Sequence, residues 1–272
     1  MSEDIENSEP SAPGPNLLDL LALTEVGQDR YVAEHSVAAP QTGLYGGQIT
    51  AQALLAAART VTADRAAHSL HLNFLRPGDS QQRVSFEVQR ERDGRSYSAR
   101  RVIARQGDRV MFNMSVSFQV PEDGPDLQSV EMPAVAKPAD SEPITTHLYG
   151  IEVRDPEPEA NLHHPSRVWL RCQSEIGADG NRNAAAMAYV SDLYSGIPTF
   201  VDLSPNITFT SLDHSLWVHR RARMDQWVLM DLIGVSFASN RGWYTGHLYD
   251  ETGVVVGGLA QEVLIRPLAS SS

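Results

Sequence analysis

Two stretches of the chain carry small and apolar residues at helical spacing. The first is Gln48-Ile49-Thr50-Ala51-Gln52-Ala53-Leu54-Leu55-Ala56-Ala57-Ala58-Arg59, with Gly46-Gly47 just before it. It is rich in good helix formers and apolar on most sides, so it predicts a helix that is covered rather than surface-lying. The second, Asn183 to Leu193, is again Ala-rich. Strand-like runs follow each helix. After the first they lie at 68–75, 84–88, 96–105 and 110–118, and the second and fourth of these alternate strictly with period two. Arg92-Asp93-Gly94-Arg95 and Gln106-Gly107-Asp108-Arg109 read as the hairpin turns between them. After the second helix the runs lie at 208–219, 226–238, 241–249 and 254–265.

Helix followed by four strands therefore occurs twice, which argues for an internal duplication. The tripeptide His68-Ser69-Leu70 recurs as His214-Ser215-Leu216 at the same place in the order. A buried helix and an antiparallel meander combine best as a helix wrapped by a curved sheet, an α+β unit. Two such units can join edge to edge, each hiding the other's open strand. Five prolines among acids at 121–146 mark a linker between them. The expected organisation is a polar disordered tail at 1–16, a first repeat at 17–120, the linker, a second repeat at 147–268 and a short tail at 269–272.

The 272 residues are 42% hydrophobic and 21% charged, enough apolar side chain for a sizeable core. No run reaches the ~18 apolar residues of a membrane span, so no membrane insertion is expected. The start, Met1-Ser2-Glu3-Asp4, has no apolar segment of a secretory signal, and Ser270-Ser271-Ser272 is not a peroxisomal address. The single cysteine, Cys172, excludes internal disulfides and reads as an inert buried thiol in a strand, so the expected location is the cytoplasm. A net charge of −12 argues against nucleic acid as a partner. The charge is uneven: residues 121–165 hold ten acids against two basic residues, and residues 76–109 hold nine arginines against five acids. The basic stretch reads either as a solvated sheet face or as a seat for an anionic ligand.

Several motifs fail on inspection. Gly234-Val235-Ser236-Phe237-Ala238 lies inside a strand, not at the strand–helix turn of a nucleophile elbow. Asp213-His214-Ser215 has the residue types of a triad, but on one strand His214 points away from the other two. His163-His164 lacks metal-ligand spacing. No dinucleotide or P-loop fingerprint is present. Two polar residues are harder to dismiss. Asp192 shares a helical face with Ala185, Ala188 and Tyr189, where a carboxylate is costly unless it is hydrogen-bonded or working; the alternative is that it sits near the helix end and reaches water. Gln261 alternates in phase with Leu259, Val263 and Ile265, so it needs a buried polar partner, either a site residue or, as a purely structural bond, the backbone.

The segments Tyr45-Gly46-Gly47-Gln48, His68-Ser69-Leu70-His71 with Phe74-Leu75-Arg76-Pro77-Gly78-Asp79, and Arg92-Asp93-Gly94-Arg95-Ser96-Tyr97 closely resemble acyl-CoA thioesterase II enzymes of the TesB type. So do Ala188-Tyr189-Val190-Ser191-Asp192-Leu193, Leu212-Asp213-His214-Ser215-Leu216-Trp217 and Gly257-Gly258-Leu259-Ala260-Gln261-Glu262, over about residues 17–267 in all. The resemblance implies a double hotdog fold and hydrolysis of acyl-CoA without metal or cofactor. It places the family's catalytic residues on Asp192, Gln261 and, where the family often has Thr, Ser211. It implies a homo-oligomer, a dimer or a tetramer. The chemistry fits these residues. A thiolate with pKa near ~8.5 leaves without strong acid help, so the reaction needs an oriented water and a held oxyanion. Direct attack by water and a covalent acyl-aspartyl route are both compatible with this set. The competing readings are a non-catalytic acyl-CoA-binding protein of the same fold, an enoyl-CoA hydratase, and a duplicated interaction scaffold. The joint presence of Asp192, Ser211 and Gln261 favours the hydrolase.

Overall fold

The computed structural model describes residues 15–36, 38–39, 43–158, 165–199 and 207–267. The sequence readings on residues 1–14, His163-His164 and the tail at 269–272 lie outside them. The first half begins with α1 (Leu17–Leu20), β1 (Leu23–Gly27) and β2 (Arg30–Ala33). Asn16 caps α1, its side-chain oxygen accepting from Leu18 N at 3.0 Å. The short pair β3 (Ala38–Ala39) and β4 (Gly43–Leu44) leads into the long helix α2 (Gly46–Ala58). Then follow β5 (Ala66–Phe74), β6 (Ser85–Asp93), β7 (Tyr97–Gln106) and β8 (Arg109–Gln119). The second half holds β9 (Glu142–Ile144), β10 (Ile151–Asp155), β11 (Arg167–Cys172), α3 (Gly180–Val190), β12 (Ile207–Ser211), β13 (Asp213–Val218), β14 (Val228–Ala238), β15 (Arg241–Asp250) and β16 (Val255–Pro267).

Fourteen of these strands form one antiparallel sheet that runs through both halves. The halves meet where β5 pairs with β13, and Leu70 faces Leu216 across the seam. The repeated tripeptides thus lie on the two sides of a local twofold axis. Both leucines are buried, at 1% and 0% exposed. Helices α2 and α3 pack against each other and belong to one continuous core. Their small side chains permit a close approach. A Cβ on Gly47 would stand 2.3 Å from the Tyr189 carbonyl oxygen, so only glycine fits there. This is the double hotdog architecture.

The strands after each helix fall within a few residues of the sequence reading. The run at 208–219 differs, because it is two strands. Ser211 faces Val263 and Ser215 faces Ala260 on β16, so four steps on one strand match three on the other. One residue is extra around Leu212, and the alternation changes phase there. Strands β1, β2, β9 and β10 were not read from the sequence. β1 is mostly exposed and β9 carries a proline, so neither shows an apolar alternation.

The proline-rich stretch after β8 lies across the outer face of the second half. Val130, Met132 and Val135 pack on a small cluster of Trp169, Leu229, Tyr249 and Val255. The Trp169 indole N–H donates to Ala136 O at 2.8 Å, and Gln128 bonds both Val255 N and Gly253 O.

Candidate active site

The site lies where the start of α2 meets the end of α3. Helix α3 begins at Asp179, whose side chain accepts from Arg182 N, and it stops at Val190 with Ser191 as its C-cap. Asp192 therefore stands just past the helix rather than inside it, a correction to the sequence reading. At the helix end the Ser191 hydroxyl oxygen lies 3.1 Å from Ala188 O and 2.9 Å from His214 Nε2, two acceptors for its one proton. The carboxylate of Asp192 points to the first turn of α2, where the backbone N–H of Gly47 donates to it. A Cβ on Gly46 would stand 2.6 Å from Asp192 Oδ2 and 2.8 Å from the ring of Phe74. Glycine at this position lets carboxylate, aromatic ring and helix start converge. The positive end of α2 also favours a negative charge there.

The three residues singled out from sequence come together. Gln261, 2% exposed, donates from Nε2 to Asp192 Oδ1 at 2.9 Å and to Ser211 Oγ at 2.7 Å. The Ser211 hydroxyl reaches the same carboxylate oxygen at a long 3.4 Å. Gln261 is in the apolar row with Leu259, Val263 and Ile265, as alternation implies. Ser211 points inward because it precedes the extra residue at Leu212, and so lies in phase with Val263 on the inner face. Period-two reasoning across the whole run could not have shown that.

Asp192 keeps a little accessible surface, yet protein surrounds its carboxylate closely. Desolvation dominates and raises its pKa. His214, Gln261, Ser211 and the Gly47 N–H act against that rise in decreasing order. His214 is a site residue that the sequence reading missed. It is 1% exposed, with Nδ1 on Gln261 Oε1 and Nε2 2.9 Å from Ser191 Oγ. Burial lowers its pKa, while Asp192, Gln261 and Asp213 favour the cation. The available signal was an imidazole on the core-facing row with Leu216. The rejected triad reading holds, since Asp213 turns away to accept from Glu262 N at 2.7 Å.

Among the described residues, the first half does not repeat this cluster. A bulge between Ala67 and Ser69 shifts the alternation at His68, whose Nε2 lies 2.8 Å from Ser117 Oγ beside the Tyr97 ring. Beyond the end of α2, the buried Arg100 guanidinium donates to Thr60 Oγ1, Thr60 O and Asp93.

Comparisons with known proteins give the family of the chain. Residues 35–119 match the acyl-CoA thioesterase N-terminal domain, and residues 121–265 match the acyl-CoA thioesterase C-terminal domain. The chain belongs to the acyl-CoA thioesterase family. Acyl-coenzyme A thioesterase 8 of Rattus norvegicus is 32% identical over 91% of this chain and 88% of its own. Acyl-CoA thioesterase 2 of Haemophilus influenzae is 29% identical over 92% of this chain and 97% of its own. The crystal structure of acyl-CoA thioesterase II TesB2 from Mycobacterium marinum superposes with a TM-score of 0.79 at 31% identity, covering 94% of this chain and 99% of that one.

For a member of this family the basic stretch at 76–109 needs a narrower reading. Arg90 is tied to Asp29 at 2.8 Å, and Arg100 is buried against Asp93 at 2.7 Å. Arg76 donates to Val110 O at 2.8 Å. The stretch is thus not one free basic face, because several of its charges stabilise the sheet itself. Cys172 takes no part, and burial pushes its thiol up to about 12.

Proposed function

We propose that this thioesterase hydrolyses medium- to long-chain fatty acyl-CoA with Asp192, Ser211 and Gln261 as its water-activating set. The acyl-CoA thioester hydrolase activity rests on family membership. The convergence of Gln261 and Ser211 on one buried carboxylate supports the residue roles. Gln261 and Ser211 occupy Oδ1, and the helix start faces Oδ2, so Asp192 is held in one orientation. A water beside it attacks the thioester carbonyl carbon and gives one proton to Asp192. The oxyanion forms near the positive end of α2. The C–S bond then breaks, and the CoA thiolate leaves with the proton from Asp192. The products are free acid and CoA thiol.

Phe74 supports an apolar acyl group. Its ring borders the Asp192 carboxylate across Gly46 and stacks on Phe112 at 6.3 Å. Placement in cytoplasmic fatty acid metabolism is part of the same proposal. It fits a chain in which no helix among the described residues is long and apolar enough to cross a membrane. Association into a homo-oligomer is supported by partly exposed Trp217, Ile233, Phe237 and Trp243. The test of substrate class is thiol release from an acyl-CoA series between acetyl and palmitoyl. Highest kcat/KM between octanoyl- and palmitoyl-CoA is expected, and a preference for acetyl-CoA would refute the chain-length reading.

A further inference from the structure

His214 bridges Ser191 and Gln261, and through Gln261 it links the two sequence neighbours Ser191 and Asp192. Its Nε2 lies 2.9 Å from Ser191 Oγ, and its Nδ1 meets Gln261 Oε1. Gln261 in turn reaches Asp192. Ser191, His214, Gln261 and Asp192 therefore close a ring that starts and ends on adjacent residues at the end of α3. Every member of the ring except Asp192 is at most 2% exposed. The ring fixes the chemistry of each atom. An amide oxygen only accepts, so His214 Nδ1 must carry a proton, and in the neutral ring Nε2 takes the single Ser191 hydroxyl proton at 2.9 Å in preference to Ala188 O at 3.1 Å. With its oxygen held by His214, the Gln261 amide presents both N–H groups to Asp192 Oδ1 and Ser211 Oγ. A flipped amide would set its oxygen against the carboxylate and its N–H groups against Nδ1–H, two repulsive contacts in a buried place.

We infer that His214, steadied by Ser191, is a positioning residue that holds the Gln261 amide in the one orientation that serves Asp192. It touches no substrate. Among its described residues the first half lacks the device, since the bulge at His68 carries the repeated histidine to Ser117 instead. This inference rests on the proposed role of Asp192, and the experiment separates the two.

Wild type, Asp192→Asn, His214→Leu, His214→Asn and Ser191→Ala are compared for kcat and KM on one acyl-CoA, with melting temperatures measured alongside. His214→Leu fills the space with an apolar side chain and removes the donor, and a fall in kcat of roughly 10–100-fold with KM within about threefold is expected, the scale of leaving one buried polar group without its partner. His214→Asn places an amide N–H near Nδ1 and restores most of kcat. Ser191→Ala falls between wild type and His214→Leu. Nitrogen NMR of the wild-type imidazole supplies a readout independent of folding in the variants, with a protonated Nδ1 and a bare Nε2 expected at neutral pH. Wild-type kcat in folded His214→Leu, a loss confined to KM, or a ring protonated at Nε2 alone would overturn the inference. Full activity in Asp192→Asn would instead overturn the proposed function.

Discussion

Moving the Asp192 carboxylate out of water costs free energy that the neighbouring His214 and its hydrogen bonds offset only in part, because its pKa ends above the ordinary range. The charged form is therefore disfavoured in the folded chain, and the sign follows for both activity and stability. A base works deprotonated, so kcat/KM should fall on the acid side with a midpoint above the ordinary Asp value near ~3.9. A midpoint at or below that value in a pH–rate profile would contradict the burial argument. The stability cost of the charge grows as pH rises through the unfolded pKa. Asp192→Asn should accordingly melt no lower than wild type at pH 7. Gln261→Ala should lose about 10²–10³-fold in kcat and Ser211→Ala about tenfold, because Gln261 sits at 2.9 Å from the carboxylate and Ser211 at 3.4 Å. Asp225 shows the opposite sign. Although burial works against it, Arg223 and the N–H groups of Ile176 and Gly177 hold it down to about 2. Its contribution is present above the unfolded pKa and lost as pH falls toward 2. Asp225→Asn should cost roughly 1–2 kcal/mol at pH 7 by chemical denaturation, and the difference should vanish near pH 2.

At the scale of elements, the start of α2 makes the site, and it does so by lacking side chains. A Cβ on Gly47 would meet backbone at 2.3 Å, whereas one on Gly46 would meet the Asp192 carboxylate and the Phe74 ring. Gly47→Ala should therefore destabilise the chain by about 1–3 kcal/mol. Gly46→Ala should cost more activity than stability. Equal melting losses in the two variants would argue against this division. The same elements show what sequence could and could not convey. The helices and meander strands were legible because apolar periodicity records burial directly. Asp192 and Gln261 were legible as polar residues on apolar rows. The inward turn of Ser211 was not, since it depends on one extra residue near Leu212, which no local pattern marks. His214 was visible only as a core-facing imidazole, and its partners lie 23 and 47 residues away. β1 and β9 join the sheet through backbone pairing, which leaves no hydrophobic signature.

For the whole molecule, the site belongs to neither half alone. The second half supplies Asp192, Ser211, His214 and Gln261, while the first supplies the Gly46-Gly47 helix start and Phe74. The sheet is continuous across the β5–β13 seam, so the halves should unfold together. Calorimetry should show one transition, and Leu216→Ala at the seam should lower stability by about 2–5 kcal/mol while keeping that single transition. Two separated transitions would mean that the halves are independent, and that the seam is not what holds the site together.

The most direct test of the account is thiol release from a long-chain acyl-CoA by wild type and Asp192→Asn side by side, with both proteins shown to be folded. The expected result is turnover by wild type and a loss of at least about 10²–10⁴-fold in the variant, the scale of a removed general base. Near-wild-type turnover by a folded Asp192→Asn protein would contradict it.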